Sequence, residues 1–388
     1  MMKTTMKWGY ILIGIVVCVG WMTVQKVQAE EKNEDTVSQT QEQILAEFDF
    51  GDVNEMLSDI FPERRLDFGE MLGQLIRGEK ECSVKLLTEI VKEKLFYEIR
   101  GNKRNLVQIL LIAIIAAVFT NFSGVFRNQQ SSETSFYLLY LLLMTLCLSS
   151  FRMMIETVGN QLKTLLTFMG VLGPVYFLGV AFAAGSVSAV AFYNFVLFLI
   201  FLVELIILNF TIPMIQVYMM VKFLNNLSWE DHLSKLAELL EMVIVWTLKT
   251  LLACVIGFNV LQGLLSPTID SLKQSVLTKG AGAIPGIGNA LGGVAEVVLG
   301  AAVLIKNGIG ILGAIICITI CLGPLLQVAV MTFMYKLAAA LLQPISDKRI
   351  VGCISGMGEG CRLLLRAVFT TGVLFLLTIA VVAATTTK

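Results

Sequence analysis

The sequence predicts an all-α, polytopic membrane protein with about seven spans, and three observations carry that expectation. Hydrophobic residues make up 56% of the 388 positions, and the mean hydropathy is +0.79. Only 15% of the residues are charged, against about 25% in a soluble domain. Many of these charges fall within the first 105 positions, so too few remain to cover a soluble core. Uncharged runs of about 20 residues, the length a helix needs to cross hydrocarbon, then recur along the chain. A net charge of zero gives no basic footprint for nucleic acid. The single histidine, His232, excludes a multi-histidine metal site.

The N-terminus reads as a targeting segment. Lys3 and Lys7 precede the uncharged run from Trp8 to Gln25, and Val27-x-Ala29 follows. This predicts a signal peptide over 1–29, cut between Ala29 and Glu30. An uncleaved signal anchor is the alternative, because the run is long. Either places residues 30 onward outside the cytoplasm. Residues 30–104 form an extracytoplasmic segment that opens on the acidic tether "EEKNEDTVSQTQEQ". Amphipathic helices follow: Phe68, Leu72, Leu75 and Ile76 share one face, and Val84, Leu87, Val91 and Leu95 another. These faces either pack on each other or dock onto a partner or the membrane surface.

Residues 105–388 form the multi-span domain. Spans are expected at 105–126, at 134–151, and as two within 164–203 that turn near Gly185-Ser186, the second reaching about Phe210. Further spans are expected at 242–264, 307–335 and 367–387. Two stretches, 211–227 and the Gly-rich 280–308, are short or interrupted and read as possible re-entrant elements. Orientation is in conflict. An outside N-terminus leaves Arg100, Lys103, Arg104, Arg152 and Lys163 outside, against the positive-inside tendency.

Few residues carry chemistry. Glu204 and Lys249 lie in apolar segments, where ionisable groups usually face an interior, a cavity or each other, so the two are a candidate pair. Gly173-Pro174 and Gly323-Pro324 repeat an L-G-P motif and are candidate kinks. Around the first, glycine, alanine and serine side chains favour close helix packing. "GIGILG" (Gly308 to Gly313) matches G-x-G-x-x-G but opens an apolar run instead of following a strand, which argues against a nucleotide. None of the eight cysteines stands in a C-x-x-C. No catalytic, cofactor or metal-binding residues are predicted.

"QPISDKRIVGCISGMGEGCRLLLR" (Gln343 to Arg366) holds the densest late charge. Pro344 ends a helix, and Ser346 or Asp347 can cap the next. An amphipathic helix over 349–364 follows. Gly352, Gly356 and Gly360 recur every four residues as a candidate packing or assembly face, and Glu359 and Arg362 are positioned to pair with each other.

Three stretches together resemble one family: "GVFRNQQSSETSFYLLYLLLMTLCLSSFRMM", "LGPVYFLGVAFAAGSVSAVAFYNF" and "YKLAAALLQPISDKRIVGCISGMGEGCRLLLRAVFTTGVLFLLTIAVV". They are similar to the stage III sporulation protein AE family of endospore-forming bacteria. The resemblance implies a multi-pass component of the channel between mother cell and forespore, sited in the mother-cell membrane and needed for late forespore gene expression. It implies as partners the other stage III sporulation AA-to-AH proteins and, indirectly, stage II sporulation protein Q. Membrane lipid and further copies of the chain complete the expected partners. The resemblance supplies no catalytic residues, which fits a chain that is not an enzyme. A stand-alone permease for a small solute is the alternative reading.

Overall fold

Hydrocarbon offers the backbone no hydrogen bonds, so apolar runs of this length satisfy their own peptide groups by coiling into helices. A computed structural model of the chain describes residues 45, 47–61, 66–76, 107, 111, 114–115, 129–184, 186–227, 232–281 and 288–385. Among them there is no strand. Two short helices, α1 (Gly51–Ile60) and α2 (Phe68–Ile76), precede the long ones. These are α3 (Gln129–Ala184), α4 (Ser186–Val203), α5 (Ile212–Leu227), α6 (Ser234–Ala281), α7 (Gly288–Leu342) and α8 (Lys348–Thr385). A π-helical segment, Glu204–Thr211, joins α4 to α5.

Helix α8 is the hub. No residue between Val351 and Ala380 is exposed, because α7, α5, α6 and α3 all pack against it. The α7–α8 turn is set by Asp347, whose carboxylate accepts the Arg349 N–H at 2.8 Å and caps the helix. The Arg349 guanidinium lies 3.7 Å from the centroid of the Phe136 ring, tying the start of α8 to α3.

Among the described residues, five helical stretches are long and apolar enough to cross a membrane: Phe136–Ala183, Tyr193–Leu227, Ser234–Phe258, Leu299–Leu342 and Lys348–Ala380. The expected segments 134–151 and 164–184 are not separate spans but parts of α3. This one helix of 56 residues is about 84 Å long at 1.5 Å per residue, more than twice the hydrocarbon thickness of roughly 30 Å. The charges between them do not break a helix. Buried Phe151, Met154, Ile155, Val158 and Leu162 continue the core-facing pattern through the polar stretch. Arg152 and Glu156 pair at 2.9 Å one turn apart on the outside. Helices α3 and α4 pack against each other, and the expected turn residue Gly185 lies outside the described residues.

The two ambiguous stretches also join their neighbours. Residues 211–227 continue from α4 as part of one apolar stretch. Pro213 has no N–H to donate and would clash with the carbonyl one turn back in a regular helix. The wider π winding before it accommodates the ring, and the Thr211 hydroxyl donates to the Ile206 carbonyl at 2.8 Å. Of the Gly-rich 280–308 stretch, residues 288–308 are the first turns of α7. The signal segment 1–29 with its Ala29–Glu30 junction lies outside the described residues. So does the 105–126 span, apart from residues 107, 111, 114 and 115.

The N-terminal helices dock on the bundle of their own chain. Asn54 ties α1 to α2: its side-chain oxygen accepts the Phe68 N–H at 2.7 Å and its amide donates to Asp67 at 3.1 Å. Phe68 and Leu72 are fully buried. Leu72 fills the space above Gly308 of α7, and the Phe48 ring meets Phe182 of α3 at 6.0 Å.

Candidate functional site

The recurrence of Gly352, Gly356 and Gly360 leaves a groove along α8, and α5 of the same chain fills it. A Cβ at position 352 would lie 3.0 Å from the Asn226 side-chain oxygen, and one at 356 would lie 3.1 Å from Lys222 Cγ. At position 360 it would collide with the Met219 thioether. The three α5 residues descend by four and three, so α5 runs antiparallel to α8. On another face, Gly358 makes room for Lys336 of α7 at 3.0 Å.

Close approach lets charge be paired inside the bundle. Lys222 Nζ lies 3.1 Å from Glu359 Oε2, and the Tyr218 hydroxyl donates to the same oxygen at 3.1 Å. Arg362 Nη2 donates to Glu241 Oε1 of α6 at 2.9 Å. Glu359 and Arg362, expected to pair with each other, therefore reach to different helices. As the hub, α8 meets opposite charge on both sides, and neither residue has to fold back along its own axis. The four charged side chains keep only 19–31% of their exposure. The layer crosslinks α5, α6 and α8 in a medium where an unpaired charge is expensive. Lys222 and Glu241 were not legible as site residues, since each is far in sequence from its partner.

The glycines of "GIGILG" are likewise filled by protein. Leu72 stands 2.6 Å from a Cβ built at Gly308, the Tyr176 hydroxyl 2.8 Å from one at Gly310, and Leu172 2.6 Å from one at Gly313. These three residues admit α2 and α3 onto α7, and their backbone faces side chains instead of a phosphate. The small residues of α3 are used in the same way. Gly173 receives the Tyr193 ring at 3.5 Å, and Gly179 the backbone of Lys306 at 3.4 Å. Helix α3 runs on through Pro174, and α7 through Pro324 with Gly323 and Pro324 buried. Cys147, Cys353 and Cys361 are buried, and Cys361 lies 4.0 Å from the Met154 sulfur, so these thiols serve as apolar packing.

Glu204 and Lys249 are level but do not pair. The Phe195 and Phe258 rings stack at 4.9 Å where α4 and α6 pass each other in opposite directions. Nine residues on from Phe195 and nine back from Phe258 bring Glu204 and Lys249 to one height. Both are exposed, and no ion pair joins them among the described residues. Each points off the bundle, because the α4–α6 contact is occupied by aromatic and aliphatic side chains. Neither Glu204→Gln nor Lys249→Met should destabilise the chain by more than about 0.5 kcal/mol, because each removes an exposed charge without stranding an ion-pair partner. Thermal unfolding in detergent measures this, and a large loss in either variant would show a partner that the single chain lacks.

The long helices, the hub and the filled glycine grooves describe an assembly of apolar helices with internal ion pairs. The family model "Stage III sporulation protein AE" matches residues 66–386. The chain belongs to the stage III sporulation protein AE family. It is also similar to the stage III sporulation protein AE of Bacillus subtilis (strain 168), at 25% identity over 389 residues, covering 97% of this chain and 96% of the relative. No solved structure matches the chain. The match takes in α2 through α8, so the ion-pair layer and both glycine grooves belong to the stage III sporulation protein AE region. The role is thus one in sporulation, in a protein with several membrane-crossing helices.

Proposed function

We propose that this chain is a non-enzymatic, multi-pass component of the channel complex between mother cell and forespore. It sits in the mother-cell membrane around the forespore and supports late forespore gene expression. Its N-terminal segment faces the space between the two membranes, and its partners are the AA-to-AH proteins, further copies of itself and, indirectly, stage II sporulation protein Q. Family membership over residues 66–386 carries this reading. It is supported by the way the charges of α5, α6 and α8 are spent on one another, which suits a structural element more than a substrate site. A tagged chain solubilised from sporulating cells should co-purify with other stage III sporulation proteins. Recovery as a lone monomer that transports a solute when reconstituted would replace this reading with a permease.

A further inference from the structure

Helix α3 carries an exposed polar stripe that the sporulation role alone does not require. Thr145, Ser149, Arg152, Glu156, Asn160, Lys163 and Thr167 follow one another at spacings of three and four, and all are exposed. They occupy one face for about 33 Å at 1.5 Å per residue, close to the roughly 30 Å of bilayer hydrocarbon. Exposed Leu138, Leu141 and Leu142 precede the stripe, exposed Met153 lies beside Arg152 within it, and exposed Leu178 and Phe182 follow it.

What lies level with it decides its meaning. Gly173 meets Tyr193, and the Tyr140 hydroxyl donates to the Phe223 carbonyl at 2.9 Å. Residues 145–167 of α3 therefore run antiparallel to about 199–218 on the α4–α5 side. There the exposed side chains are mostly apolar, among them Phe201, Leu205, Phe210 and Val217, with Glu204 and Asn209 as exceptions. A level standing in water would be polar on both faces, and one surrounded by lipid would be apolar on both. A polar face and an apolar face at one depth match water on one side and lipid on the other.

We propose that the Thr145–Thr167 stripe lines an aqueous conduit within the bilayer, closed by further copies of this chain that turn the same face to a common axis. Irregular or polar surface is tolerated at membrane depth where it borders a water-filled cavity. Within the stripe Arg152 and Glu156 offset each other at 2.9 Å, which leaves Lys163 as the net charge. The conduit accordingly favours anionic or neutral polar solutes over cations. This rests on the channel reading above and names the helix that would serve it.

Cysteines introduced one at a time at Ser149, Asn160 and Thr167, and at Phe201 and Val217 for comparison, test it in the full-length chain carrying Cys18→Ser, Cys82→Ser and Cys254→Ser, with the remaining five cysteines buried. The probe is a membrane-impermeant thiol reagent applied to opened membrane vesicles. The stripe positions should react at least about tenfold faster than Phe201 and Val217, because a thiol ionises in water and not against lipid. Equally slow reaction at all five would show the stripe sealed by lipid or protein. Equally fast reaction would show this level to stand outside the bilayer. Either result overturns the conduit. Asn160→Cys chains bearing two different tags should also join through a bifunctional thiol reagent. Fast labelling without such cross-links would assign the conduit to a different protein partner. Labelling is read in the membrane and co-purification in the extract, so failure here and failure of the sporulation-channel reading are distinguishable.

Discussion

Gly360→Leu should abolish stable folding of the bundle. The position faces the Met219 thioether with no room for even a Cβ, so four added carbons must push α5 off α8. Overpacking of a core typically costs about 1–3 kcal/mol, and here the displacement also pulls Lys222 away from Glu359, 3.1 Å distant. The combined loss should reach at least about 3 kcal/mol, because a separated ion pair leaves charge unpaired in an apolar interior. The readouts are the steady-state amount of protein in membranes and its unfolding midpoint in detergent. Gly360→Ala should be much milder, since Met219 is unbranched and its thioether can swing aside. Near-normal stability of the leucine variant would mean that α5 does not lie in this groove.

Arg362→Leu should cost about 2–4 kcal/mol, chiefly by stranding the Glu241 carboxylate. The pair is bonded at 2.9 Å with 19% and 30% of the side-chain exposure retained, so solvent screens it only in part. The diagnostic is the double variant Arg362→Leu, Glu241→Leu. Removing both charges should recover part of the single-variant loss, because Glu241 is no longer stranded, while the nearby half-buried Arg366 also loses that carboxylate. If the two losses instead simply add, the residues do not interact. Detergent unfolding of the wild type, both singles and the double completes the cycle.

The membrane class was legible because composition alone excludes a charged surface. The continuity of α3 was harder. Read for hydropathy, Arg152, Glu156 and Lys163 look like a loop between two spans. Read for period, Phe151, Met154, Ile155, Val158 and Leu162 keep the helical repeat through the same stretch, so the signal was present in the apolar positions. The glycine spacing on α8 was equally visible, whereas its occupant was not, since nothing local to Gly356 points to Lys222. For Glu359 and Arg362, sequence neighbourhood misled. An i,i+3 contact is the default on an isolated helix, and a helix surrounded on all sides has better-placed partners. Glu204 and Lys249 failed for the converse reason: equal height does not make two side chains face each other.

The position of α8 in the chain bears on how the protein is made. The helix that every neighbour leans on is synthesised after all of them. Until its first turns emerge, Lys222 and Glu241 lack the partners that pair them in the finished bundle, and α5 and α6 have no groove to enter. The helices before α8 therefore cannot reach their final packing until α8 itself arrives. A chain stalled or cut before α8 is left without the Glu359 and Arg362 partners of Lys222 and Glu241, which marks it for quality-control proteolysis before it can join an assembly.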